Sequence, residues 1–256
     1  MTVRYQLSGG RATITIDDPE RRNPMSVETM GGLLRATQQA VDDPEARVIV
    51  YTGAGEDTFC AGGDLSGSFV DDPVELHKGR GDIAGLFRLI MRGGKPTIAR
   101  VNGHALAGGF GLAVVCDITI CVDDAKLGTT EVKVGLWPMM ISAVLARMMP
   151  RKAALELMLT GRVITPEEAL RLGAVSRVVS RDELDMVVDE TVAALMAMSP
   201  TTIRIGKDSF NSMADADLDT AFDRLQGGLT EIAMTDDARE GVAAFLGKRP
   251  PQWSGS

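Results

Sequence analysis

The sequence predicts an α/β fold, and three observations carry that prediction. Short β-branched runs alternate with stretches of helical period, a Gly-rich turn at 107–109 joins one such run to an apolar helix, and beyond Thr165 the chain becomes mostly helical. Strand, loop and helix recurring in this way put functional loops at strand ends.

The elements follow in order. Residues 12–16 alternate apolar and polar before the turn Asp17-Asp18-Pro19. Ser26 is placed to cap a helix with Val27, Met30, Leu33, Leu34, Thr37 and Val41 on one face, ending at Asp42-Asp43-Pro44. Residues 48–51 read as a buried strand ending at Thr52-Gly53. The stretch 62–95 holds Gly62, Gly63, Gly67, Gly79, Gly81, Gly85, Gly93 and Gly94, and predicts a mobile, loop-rich segment over a ligand site. Strands are predicted at 97–101 and 118–122, with an apolar helix opening near Gly108. Thr165-Pro166-Glu167-Glu168 is a capping box with Pro at the first helical position. That helix closes near Leu172-Gly173, and a strand follows at 175–179. Helices are predicted at 182–198, 201–213, 217–234 and 236–246. The division expected is a core over 1–195 and a helical region over 196–256.

At 256 residues the chain can bury a large core. Its net charge of −8, with Arg21-Arg22 and Lys248-Arg249 among its short basic clusters, disfavours a nucleic-acid partner. Cys60, Cys116 and Cys121 show no metal-like spacing in a chain with only 2 histidines, so reduced, partly buried thiols and no metal are expected. The residues after Met1 have no signal-peptide core, and the longest apolar run, 105–116, is too short and Gly-rich to span a bilayer. A soluble, cytoplasmic protein without a membrane partner is the expectation.

The chemistry is concentrated in two Gly-rich turns and one acid. Ala61-Gly62-Gly63-Asp64 follows the strand at 48–51, and Ala107-Gly108-Gly109 follows the strand at 97–101. As a pair they could present two backbone N–H donors to one carbonyl oxygen, and one such donor is typically worth about 2.7–4 kcal/mol of transition-state stabilisation. Glu131, twenty residues after Gly111, could move a proton beside that oxyanion, although a surface pair with Lys133 accounts for it equally well. His104 reads as a structural histidine, Asp117 as a carboxylate holding the turn into the next strand, and His77 is given no role. The apolar loop Trp137-Pro138-Met139-Met140 suggests a greasy acyl pocket, although Trp and Met more often serve as plain core.

These blocks, with 131–136, Leu159-Thr160-Gly161-Arg162, Pro166-Glu167-Glu168-Ala169 and 237–249, resemble the crotonase, or enoyl-CoA hydratase/isomerase, superfamily almost end to end. The resemblance implies a crotonase-like spiral of ββα units with a C-terminal helical trimerisation region, giving a homotrimer or hexamer. It implies an acyl-CoA substrate and no metal or redox cofactor. The thioester oxygen would be held by the N–H groups of Gly63 and Gly108, within the turns that also contain Gly62 and Gly109. Adenine-side contacts would lie near Ala61, Asp64 and Leu65, and Arg21 or Arg22 would lie near the CoA phosphates. Phe245 and Lys248 would be supplied to the CoA by a neighbouring subunit.

One departure bears on the reaction. Family hydratases commonly carry two glutamates, and the position of the first is Gly111 here. A single acid at Glu131 resembles the family's isomerases, which move a proton from C2 to C4, more than its hydratases, while hydration stays open if Glu131 and a backbone group orient the water. The dehalogenase and ring-opening branches would want an Asp near Met139, where none stands. The alternative is a catalytically silent relative that binds CoA esters.

Overall fold

In the computed structural model, residues 2–65 and 73–256 are described. The chain opens with a hairpin, β1 (Val3–Ser8) and β2 (Arg11–Ile16), followed by α1 (Val27–Asp42). Three strand-strand-helix units come next: β3 (Val48–Gly53), β4 (Thr58–Cys60) and α2 (Pro73–Arg92); β5 (Thr97–Val101), β6 (His104–Leu106) and α3 (Gly108–Val115); then β7 (Ile118–Val122), β8 (Leu127–Gly128) and α4 (Met139–Met148). After these stand α5 (Arg151–Thr160), α6 (Pro166–Arg171), β9 (Arg177–Val179), α7 (Leu184–Met196), α8 (Pro200–Met213), α9 (Leu218–Met234) and α10 (Asp236–Leu246).

The first strand of each unit enters a large sheet of order β1-β2-β3-β5-β7-β9, and the second enters a small sheet of order β4-β6-β8. Apart from the β1–β2 hairpin the ladders are parallel. This is the ββα spiral. β3 is buried along its whole length, as a parallel strand covered on both faces must be, which is why its sequence is a continuous apolar run.

Two buried asparagines tie the layers together. Asn23 Nδ2 donates to the carbonyls of Ala54 (2.9 Å) and Thr58 (2.7 Å). Asn102 Nδ2 donates to Gly55 O (2.8 Å), while its Oδ1 accepts from Gly53 N (3.1 Å). Asp117 accepts from Thr97 N and Thr97 Oγ1 and pairs with Lys207 of α8 at 2.6 Å. The carboxylate thus holds the turn into β7, as expected, and also moors the helical region. Asp237 accepts from Ser199 Oγ, Ser254 N and Gly255 N, which folds the chain's last residues back against the start of α10.

The predicted mobile segment is corrected: from Pro73 onward it is the 20-residue helix α2, while residues 66–72 of that prediction lie outside the described residues. Its buried side chains Ile83, Leu86, Phe87 and Ile90 follow the helical spacing i, i+3, i+4, i+7. Of the glycines that mimic a loop signature, Gly79 and Gly85 face α1, whereas Gly81 faces open space. A Cβ at Gly79 would fall 3.2 Å from both Met30 Cε and Val27 Cγ2, and one at Gly85 3.5 Å from the Leu34 methyls. The α1 face therefore divides. Val27, Met30 and Leu34 meet α2, whereas Leu33, Ala36, Thr37 and Ala40 are buried in the core, where Thr37 Oγ1 meets the Tyr51 hydroxyl at 2.9 Å. Ser26 caps α1 by accepting from Thr29 N, as predicted. At α6 only half the capping box forms: Thr165 accepts from Glu168 N, but the Glu168 carboxylate turns to Arg162.

The three cysteines are free and buried. No helix among the described residues is long and apolar enough to cross a membrane.

Candidate active site

The three strands of the small sheet end at the three predicted chemical positions. Gly63 lies three residues beyond β4, Gly108 two beyond β6, and Glu131 three beyond β8. Ligands of parallel sheets bind beyond the carboxyl ends of the strands, and here those ends are contiguous.

The two glycine turns touch backbone to backbone. A Cβ at Gly62 would fall 2.6 Å from Ala107 Cβ, 2.9 Å from Leu106 O and 3.4 Å from Gly108 N, and its φ of +93° already favours glycine. A Cβ at Gly109 would fall 2.3 Å from Cys60 O. Gly62 and Gly109 therefore set the approach that brings Gly63 and Gly108 together. Met25 N donates to Gly62 O (2.8 Å) and Asp64 N to Met25 O (3.3 Å), a parallel bridge that turns the Gly63 N–H to the opposite side. Gly108 is the first residue of α3, so its N–H is one of the helix's unpaired donors and carries the positive end of the dipole. Ala107, just before it, is held at φ +49°, ψ −126°, which a residue with a Cβ seldom adopts. Strain of this kind costs about 1–3 kcal/mol and persists where the surroundings over-determine it.

Glu131 opens a one-turn 3-10 helix, Glu131–Val134, closed by Gly135 in the left-handed region. Its Oε2 is buried and has no hydrogen-bond partner among the described residues. Burial pushes the carboxyl above its ordinary range, with a backbone hydrogen bond pulling the other way. An orphaned carboxylate oxygen is costly unless a ligand meets it, which argues against the surface pair with Lys133. Thr129 Oγ1, also buried, is likewise unpartnered.

Arg21 and Asp64, both expected at the CoA, are paired to each other at 2.6 Å. Arg22 is exposed, and its carbonyl accepts from Ala61 N at 3.1 Å, which clamps this loop to the first glycine turn. Leu65 is exposed. Trp137 is half-buried against the core and Met139 is exposed, so of the expected acyl-pocket pair only Trp137 packs inward. Phe245 and Lys248 stand exposed at and just beyond the end of α10, apart from the three strand ends. His104 Nδ1 accepts from Lys126 N (3.1 Å), the structural role expected of it.

Sequence reasoning missed Met25, Phe87 and Ile141. Met25 Sδ lies 3.0 Å from where a Gly108 Cβ would stand, and Ile141 and Phe87 pack against Gly111. The spacing of Phe87 with Ile83, Leu86 and Ile90 was a usable signal beneath the glycines. Nothing local set the helical phase of Ile141.

The family model described as Enoyl-CoA hydratase/isomerase matches residues 7–256. The chain belongs to the enoyl-CoA hydratase/isomerase family. It is 35% identical over 250 residues, 96% of this chain and 98% of the relative, to a Thermus thermophilus protein named provisionally as an enoyl-CoA hydratase. To a carnitinyl-CoA dehydratase of Salmonella arizonae it is 34% identical over 259 residues, 99% of this chain and 98% of the other. The crystal structure of human enoyl Coenzyme A hydratase domain-containing protein 3 superposes with a TM-score of 0.94 at 30% identity, covering 99% of this chain and 100% of that one. The protein is thus a crotonase-superfamily enzyme of the enoyl-CoA hydratase/isomerase type, and the three strand ends described above are its candidate active site. Among the described residues no group of three or more His, Cys, Asp or Glu is arranged to hold a metal ion.

Proposed function

We propose that this enzyme shifts the double bond of an enoyl-CoA thioester through an enolate, with Glu131 as sole acid and base. The N–H groups of Gly63 and Gly108 take the thioester oxygen, where two fixed donors stabilise the charge that develops as the C2 proton leaves. Glu131 takes that proton and returns it at C4, so the product has the substrate's mass and no external redox partner is needed. The observation that carries this reading is the buried, unpartnered Oε2 of Glu131 beyond β8, beside the paired glycine turns. A carboxyl raised by burial is the stronger base once ionised.

The CoA would run past Ala61, Asp64 and Leu65 toward Arg21 and Arg22. Phe245 and Lys248 would meet it from a neighbouring subunit of a homotrimer assembled through residues 196–256, with 1–195 forming the catalytic core. Their exposure at the end of α10 supports that role.

Mass spectrometry of a 3-enoyl-CoA incubated with the protein tests the reading. A conjugated product of unchanged mass is expected. A product heavier by one water from a 2-enoyl-CoA, whose C3 is activated by conjugation, would make the enzyme a hydratase, and 2- and 3-enoyl esters that both bind without chemical change would favour a silent CoA-binding relative.

A further inference from the structure

The environment of Gly111 goes beyond the lack of an acid there. Gly108 and Gly111 are one turn apart in α3 and share a face of the helix. A Cβ at Gly111 would fall 1.9 Å from Ile141 Cγ2, 2.8 Å from Ile141 Cβ and 3.4 Å from Phe87 Cζ. Both partners are buried, Ile141 from α4 and Phe87 from α2, so neither can swing into solvent. Not even an alanine fits, and the volume a longer side chain would enter is filled with hydrocarbon.

We infer that Ile141, backed by Phe87, is the specificity-determining residue of this site: wedged against Gly111, it keeps a second protic group and a nucleophilic water away from the enoyl chain, so that proton return by Glu131 is the open route. The inference rests on the enolate reading above. Hydration requires a water oxygen to bond to C3 while a proton reaches C2. An apolar wall on the Gly111 side offers that water no hydrogen-bond partner, and a buried water needs two to four. Glu131 serves the proton shift unaided.

The test combines stability with product analysis in Gly111→Ala, Ile141→Ala, Gly111→Glu, and the pairs Gly111→Ala/Ile141→Ala and Gly111→Glu/Ile141→Ala. Gly111→Ala is expected to melt below the wild type, and adding Ile141→Ala to recover much of that loss. Wild-type enzyme should give isomerised product without a water adduct. Gly111→Glu/Ile141→Ala should gain hydration of a 2-enoyl-CoA, seen as product 18 mass units heavier, by at least tenfold over either single variant. A merely structural Ile141 would change melting and leave the ratio of hydrated to isomerised product unmoved, which overturns the inference. Wild-type hydration as fast as isomerisation overturns it as well. Loss of the enolate reading is distinguishable. In that case the wild type neither converts any enoyl-CoA nor exchanges its C2 proton with deuterated water, while the melting cycle still reports whether Ile141 and Gly111 are coupled.

Discussion

The amide of Ala107 donates to the carbonyl of Gly128 at 2.8 Å, and this bond fixes the step into the second glycine turn against the step into the Glu131 loop. Ala107 precedes Gly108 and Gly128 ends β8 three residues before Glu131, so the proposed donor and the proposed acid are positioned by one ladder. Sites built on strand ends hold their geometry better than sites on free loops.

Glu131→Gln should abolish turnover by about 10²–10⁴-fold, the usual worth of a positioned acid-base group. It should also stabilise the protein at neutral pH. The folded carboxyl titrates above its unfolded counterpart, so the folded state binds the extra proton between the two values and wild-type stability falls as pH rises through that window. Melting curves across pH check this, with the gap between wild type and variant closing as the acid becomes protonated in both states. The same shift places the acid limb of the pH–kcat/KM profile above the ordinary glutamate range.

Gly62→Ala should disable the oxyanion site without touching any side chain that does chemistry. The added methyl would meet Ala107 Cβ at 2.6 Å and Leu106 O at 2.9 Å in a left-handed backbone, so the turns must part. Misplacing one donor typically costs about 10²–10³ in kcat, which steady-state kinetics on the folded variant would show. An unchanged kcat would remove Gly62 from the architecture of the donors.

Ala107→Gly tests the strain directly. At φ +49° a glycine is relieved of the Cβ penalty, and the gain of about 1–3 kcal/mol is offset in part by glycine's entropy loss of about 0.5–1 kcal/mol on folding. A modest rise in denaturation midpoint is expected, and a fall would show that the Ala107 methyl contributes more through packing than its backbone costs.

Asp117→Ala should destabilise by about 1–3 kcal/mol, because it removes the counter-charge of Lys207, whose side chain is only 8% exposed, although the carboxylate itself is 30% exposed. Two backbone carbonyls, Ile90 O and Lys95 O, still accept from Lys207, which puts the loss toward the lower end. Urea denaturation measures it.

Native enzyme should resist alkylation at pH 8. Burial pushes the thiols of Cys60 and Cys121 up to about 12 and that of Cys116 higher still, so almost no thiolate is present. Counting labelled thiols by mass should give none in the folded protein and all three after unfolding.

Much of this protein is local in origin and therefore legible in its sequence. Ser26 caps its helix, the buried strand β3 opens on the apolar run 48–51, and the four C-terminal helices begin and end within a few residues of their turn signals. The glycine turns and Glu131 stand out as candidates because the proposed chemistry needs a particular residue at a particular break in the pattern. Tertiary structure decided the rest. The two- and three-residue strands β4, β6 and β8 carry too little periodicity to be seen alone, yet their side-by-side pairing brings Gly63, Gly108 and Glu131 to one edge. Gly79 of α2 reads as loop because its close approach to α1 is set by another element. The partner of Gly111 is Ile141, thirty residues on, and no local rule places that methyl group where a second acid would begin. Propensity and capping act over a few neighbours, whereas the space a side chain finds is set by whatever the fold brings against it.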